Sequence, residues 1–150
     1  VFGIDNGAFS YFDEAAFTRL LRRELPRKQD CLFVCVPDKV GDHIETLIMW
    51  EQYKHLAEGW RRAFVVQDGF TGAPPDADVL FIGGTTAFKD SREVEQIVCD
   101  GVARGVHVHV GRVNGAKRFW KFRALGAHTC DGSGVSRFDH MLEKIRDFRS

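Results

Sequence analysis

The chain has 150 residues, 44% hydrophobic and 12% aromatic with 13 Phe, so it can bury a sizeable core and is neither a disordered chain nor a collagen-like repeat. Lys+Arg 21 balances Asp+Glu 21, which excludes whole-surface attraction to nucleic acid and leaves only a local basic patch for that purpose. No apolar run approaches the ~20 residues that span a bilayer, and none follows a charged start as in a signal peptide, so a cytoplasmic protein without membrane contact is expected.

In chain order, short β-rich runs alternate with helical patterns. Strands are expected at Val1 to Ile4, Cys31 to Val36, Ala63 to Val66, Val79 to Ile82, Val106 to Val110 and Ala127 to Cys130. A helix over Glu14 to Glu24 carries Phe17, Leu20 and Leu21 at helical spacing. Asp42-His-Ile-Glu45 is a capping box before Leu47, Ile48, Trp50 and Leu56. Asp90-Ser-Arg-Glu93 repeats that signal before Val94, Ile97 and Val98. Ala116 to Leu125 and Phe138 to Phe148 complete the helices. The rhythm is that of an α/β domain with a parallel sheet, covering residues 1–150 as one unit.

Each expected strand ends in a polar residue or a glycine: Asp5, Asp38, Gln67 with Asp68, Gly83-Gly84, Gly111-Arg112 and Asp131. In parallel α/β architectures these ends share one rim, where ligands bind. Three carboxylates there, Asp5, Asp38 and Asp131, suit cleavage of a glycosidic bond, one facing the anomeric carbon and another handling the leaving-group proton. Magnesium binding is the competing use of such a cluster. Gly83-Gly84 lacks a following Gly-Lys-Ser/Thr and so is no P-loop. Gln67 carries the donors and acceptor that reading a nucleobase edge needs.

Cys31, Cys35, Cys99 and Cys130 form no CxxC pair and lie near no histidine at zinc-finger spacing, so neither structural zinc nor another cofactor is expected. Cys31 and Cys35 read as small buried thiols in an apolar run. His107 and His109 alternate with valines and share one strand face; an interior role is expected for both, with recognition of a base or sugar the other use of His109. From Arg112 to Arg123, the bases Arg112, Lys117, Arg118, Lys121 and Arg123 meet no acid and interleave with Phe119, Trp120 and Phe122. That stretch suits a phosphate-contacting surface or, equally simply, a solvated helix with an aromatic inner face. Arg19, Arg22, Arg23, Arg27 and Lys28 read as a solvated cluster, and Phe9, Phe70 and Phe88 as candidates to stack on an extruded base.

The order of these landmarks resembles that of tRNA-guanine transglycosylases. Ile4-Asp5-Asn6-Gly7-Ala8-Phe9-Ser10 is similar to that family's Asp-Ser-Gly-Gly-Phe-Gln segment. Val36-Pro37-Asp38, Val66-Gln67-Asp68-Gly69, Ile82-Gly83-Gly84, Val108-His109-Val110-Gly111 and Thr129-Cys130-Asp131-Gly132 follow in the family's order, from Asp5 to about Gly132. The resemblance implies a fold derived from the TIM (β/α)8 barrel, reduced or incomplete because only six strands are expected. It implies Asp131 as nucleophile and Asp5 as general acid/base. Asp38, Gln67 and the Gly83-Gly84 backbone would then be base-recognition groups, with Asn6 and Asp68 beside them as departures that point to a different base.

The family's zinc-bearing insertion is absent, which favours DNA over tRNA as partner, with Arg112, Lys117, Arg118 and Lys121 as phosphate contacts. The chain also resembles compact phage and bacterial transglycosylase-like proteins, some of them linked to modified DNA bases. The expectation is a DNA glycosylase removing a modified base, fitting antiviral defence. Base exchange in DNA or tRNA, a non-catalytic nucleic-acid-binding module and a magnesium-dependent phosphotransfer enzyme are the alternatives.

Overall fold

The computed structural model describes residues 1–7 and 11–132. The helix expected over residues 138–148, and with it Phe9 and His140, lies outside the described residues.

Among the described residues six strands form one sheet: β1 (Phe2–Ile4), β2 (Cys31–Cys35), β3 (Arg62–Val66), β4 (Val79–Ile82), β5 (His107–Val110) and β6 (Thr129–Cys130). Every pairing is parallel and joins strands consecutive in sequence, giving the order β1-β2-β3-β4-β5-β6. A doubly wound sheet reverses its strand order at a switch point; this one never does. The sheet curls into a half-barrel of six strands and, among the described residues, does not close. The architecture is thus α/β and consistent with a reduced TIM-like fold.

The apolar runs form strands because both faces are covered, as parallel sheets require. On the convex face, Phe64 and Val66 of β3, Leu80 and Ile82 of β4 and Val108 and Val110 of β5 pack in one cluster with Trp50, Val94, Val98 and Phe122 from the helices. Burying each such side chain contributes roughly 1.5–3 kcal/mol. The concave face carries the alternate set, Phe33, Cys35, Ala63, Val65 and Val79, with Phe81 against it.

Five α-helices are described: α1 (Glu14–Glu24), α2 (His43–Tyr53), α3 (Thr86–Lys89), α4 (Arg92–Ala103) and α5 (Ala116–Ala124). In α1, Phe17 and Leu21 bury against Ile4 and Val34. Asp42 caps α2 by accepting from the Glu45 N–H, as its sequence motif predicts. Ile48 does not join the core: it is 53% exposed, because α2 turns His43, Thr46 and Trp50 inward. Ser91 rather than Asp90 caps α4, accepting from Val94 N–H. Asp90 instead sits at the C-terminal end of α3, which Thr85 caps and the sequence patterns did not reveal. Gly101 lets α4 approach the sheet, since a Cβ there would lie 2.9 Å from Leu80.

Candidate active site

The strand ends do share a rim. Asp5, Asp38, Gln67, Gly83-Gly84, Gly111-Arg112 and Asp131 line one cavity of about 510 Å³ at the mouth of the concave face. Curling of the sheet matters here. Asp5 follows β1 and Asp131 follows β6, the two edges of the sheet, yet both border the same space.

Asp131 is held at both oxygens. Oδ1 accepts the Arg112 backbone N–H at 2.8 Å, and Oδ2 lies 3.0 Å from His109 Nε2. Burial opposes ionisation of this carboxyl, but the His109 and Arg112 hydrogen bonds prevail and hold it below the usual carboxylate range. Arg112 takes a left-handed backbone, φ 54, which a side-chain-bearing residue adopts at a cost of roughly 1–3 kcal/mol. That conformation accompanies an N–H directed at Asp131, and the guanidinium reaches the Gly84 carbonyl at 3.3 Å.

Asp38 forms a second, buried centre. Asn6 Nδ2 donates to its Oδ1 at 2.7 Å and Gln67 Nε2 to its Oδ2 at 2.6 Å. Burial raises the Asp38 carboxyl above its ordinary value; the two amide donors partly offset that, and the nearby Asp5 charge adds to it. Asn6 also donates to the Val36 carbonyl, and Gln67 Oε1 accepts from Gly41 N–H. Asn6 and Gln67 therefore bracket Asp38, and what this centre offers the cavity is the remaining lone pairs of a positioned carboxylate and the second N–H of Gln67.

Asp68 does not line the cavity. Its carboxylate accepts from the Thr85 N–H at 2.9 Å and the Thr85 hydroxyl at 2.6 Å, tying the loop after β3 to the start of α3. Gly84 permits this tie: with φ 74, a Cβ there would stand 2.6 Å from Asp68 Oδ2. Gly83 is equally confined, 2.9 Å from Val65 Cγ1 by the same measure.

The basic stretch is less available than its sequence suggests. Arg118 makes two hydrogen bonds to Asp90, at 3.0 and 2.7 Å, and Lys121 lies 2.9 Å from Glu95. Acids distant in sequence thus take up two of the charges assigned to phosphate. Arg112 borders the cavity and Lys117 is exposed on α5. The stacking candidates also change: Phe70 packs against Phe64 and His43 in the core, and Phe88 against the same convex cluster. The rings that line the cavity are Phe33 and Phe81, 5.8 Å apart and nearly perpendicular, with the His109 ring 4.7 Å from each. Glycines make room for both, since a Cβ at Gly3 would meet Phe33 at 2.8 Å and one at Gly111 would meet Phe81 at 2.6 Å.

Two more groups were not picked out by sequence reasoning as parts of this arrangement. Lys89 is 2% exposed and donates to the Gly111 carbonyl at 2.8 Å; burial, with Arg112 and Arg118 nearby, lowers its pKa to about 8. Cys35 is buried in the cavity wall, and burial together with Asp5, Asp38 and Asp131 pushes its thiol well up, leaving it inert. The alternation of His107 and His109 signalled a shared face, but not the carboxylate that His109 meets. Among the described residues no three of His, Cys, Asp and Glu gather as a metal site. No helix there is long and apolar enough to cross a membrane.

No protein-family model, curated protein or solved structure matches the chain. Geometry and chemistry of the cavity carry the functional reading.

Proposed function

We propose that the protein cleaves the N-glycosidic bond of a nucleobase in nucleic acid, with a modified base in DNA as the preferred substrate. The supporting observation is the convergence of Asp5 and Asp131 on one cavity, with Asp131 held ionised and the buried Asp38 centre alongside. Breaking this bond develops positive charge on the sugar and negative charge on the base, so a carboxylate at one end and a proton donor at the other each stabilise the transition state. In this reading Asp131 attacks the anomeric carbon and the C–N bond electrons leave with the base, which takes a proton from Asp5. Water then attacks the anomeric carbon of the sugar–Asp131 ester, giving its proton to Asp5, and the C–O bond electrons leave with the Asp131 carboxylate. Asp38 and Gln67 face the base edge, Phe33 and Phe81 its flat surface. Arg112 and Lys117 meet the backbone phosphates. A duplex base must leave its stack to reach such a cavity.

The test is mass spectrometry of bases released from several DNAs and RNAs, including phage DNAs with modified pyrimidines and purines, without added metal or free base. A released nucleobase and alkali-labile abasic sites in DNA are expected. Intact DNA with and without a free acceptor base, alongside incorporation of a labelled base into RNA, would overturn hydrolysis in favour of base exchange. No chemical product on any substrate, with binding retained, would leave a nucleic-acid-binding module.

A further inference from the structure

We propose that His109 is a positioning residue for the Asp131 carboxylate, fixed as an Nε2–H donor by a hydrogen-bond chain that runs from Asp131 through His109 and Thr129 to His107. His109 Nε2 lies 3.0 Å from Asp131 Oδ2, and its Nδ1 lies 2.8 Å from Thr129 Oγ1. The same hydroxyl is 2.8 Å from His107 Nε2. The parallel register sets this up: His109 pairs with Thr129 across β5 and β6, so His107 and Asp131 fall on the same face, one step behind and one step ahead.

Donor and acceptor counting orders the protons. An ionised carboxylate only accepts, so the hydrogen of the His109–Asp131 bond belongs to Nε2. Thr129 has one hydroxyl hydrogen and two imidazole nitrogens within reach, so it donates to one and accepts from the other. His107, whose pKa burial and the adjoining His128 lower to about 4, is neutral near pH 7. As the Nε2–H tautomer it donates to Thr129 Oγ1, and Thr129 then donates to His109 Nδ1. Each of the three hydrogen bonds then has one donor and one acceptor, and His109 keeps its proton at Nε2.

Packing fixes the ring as well as the proton. Phe33 and Phe81 each place a ring centroid 4.7 Å from that of His109, and His107 stacks on His128 at 4.9 Å. With Arg112 N–H on the other oxygen, both Asp131 carboxylate oxygens are held, and each retains capacity to accept a further hydrogen bond. Holding a reacting group in line is worth about 10²-fold in rate per ångström of misplacement avoided. The alternation of His107 and His109 thus has a purpose beyond filling a barrel wall.

The kinetic part of the test rests on the proposed glycosidic chemistry; the spectroscopic part does not. Nitrogen-15 NMR of the whole chain at pH 7.5 should show His109 with a protonated Nε2. A His109 protonated at Nδ1 alone overturns the proposal whatever the activity. Thr129→Val keeps the shape and removes the hydroxyl, so the His109 Nδ1 resonance should lose the shift that its hydrogen bond imposes; Thr129→Ser should restore it. On a substrate that releases base, Thr129→Val and His109→Phe should lower kcat about 10- to 100-fold with KM nearly unchanged. Thr129→Ser should recover most of the loss. An unchanged His109 Nδ1 resonance together with wild-type kcat in Thr129→Val would remove the relay. If no substrate releases base, the glycosidic reading fails alone and the tautomer still decides this proposal.

Discussion

The Lys89 ammonium, buried beneath the rim, donates to the carbonyl of Gly111, the residue before the one whose N–H holds Asp131. A charge in that position stabilises the loop locally while costing desolvation, and its pKa near 8 records the balance.

Between pH 8 and the ordinary value of 10.5, the unfolded chain binds a proton at Lys89 that the folded chain has lost, so stability rises with pH across that window. Below pH 8 both states are charged and the penalty is complete. In urea unfolding from pH 7.5 to 10.5, the native protein should gain on the order of 1–3 kcal/mol relative to Lys89→Met. Parallel profiles for the two proteins would show that folding leaves the Lys89 pKa where it is in the unfolded chain, with no desolvation penalty on its charge.

Asp131→Asn should abolish base release and leave the fold intact. The amide keeps the size of the carboxylate and can still accept from Arg112 N–H, but it supplies no negative charge to the anomeric carbon. A barrier increase of several kcal/mol, on the order of 3–5, is expected. Retention of more than about a tenth of native activity, a loss under ~1.4 kcal/mol, would exclude Asp131 as nucleophile.

Asp38→Ala should destabilise the chain by about 2–4 kcal/mol, because the Asn6 and Gln67 donors lose their shared buried acceptor. Its pH dependence has the opposite sense to that of Lys89. Burial raises the Asp38 pKa above 3.8, so from 3.8 up to the raised value the folded chain holds a proton that the unfolded chain has released. That contribution is complete at lower pH and declines as pH rises through the raised pKa. Urea midpoints of native protein and Asp38→Asn between pH 3.5 and 6 should converge or cross as pH increases; a difference that grows in favour of the native protein contradicts the shift.

Arg112→Ala should weaken DNA binding and flatten its salt dependence more than Arg118→Ala does. Arg112 borders the cavity, whereas the Arg118 guanidinium is engaged with Asp90. Removing one cation from the phosphate path should reduce the slope of log K against log salt by about 0.9. Equal slopes for the two variants, measured by fluorescence anisotropy over a salt series, would place that path elsewhere.

The strands were legible because a sheet covered on both faces demands unbroken apolar runs, as in Cys31 to Val36 and Val79 to Ile82, punctuated by Asp or Gly. The same punctuation brought out the rim residues. Pairings that depend on tertiary neighbours were not legible. Arg118 looks solvated until α3 and α4 bring Asp90 beside it, and Lys89 looks like a surface charge until the Gly111 loop closes over it. Asp68 read as a rim group like Gln67, one residue earlier, but it lies in the turn after β3 that Phe70 N–H closes onto the Gln67 carbonyl, and its carboxylate goes to Thr85. His109 could be assigned a partner only once the β5–β6 register was known.

Strand order also bears on how the molecule comes apart. Every pairing joins elements adjacent in sequence, and the centre of the sheet, β3 to β5, carries the deepest convex packing. The margins are short: β1 has three residues and β6 two. Amide protons there should exchange with solvent through local opening well before those of β3 and β4. Asp5 and Asp131 follow these two margins, so a modest loosening separates the opposed carboxylates while most of the sheet persists, and heat or urea should silence the protein before it melts.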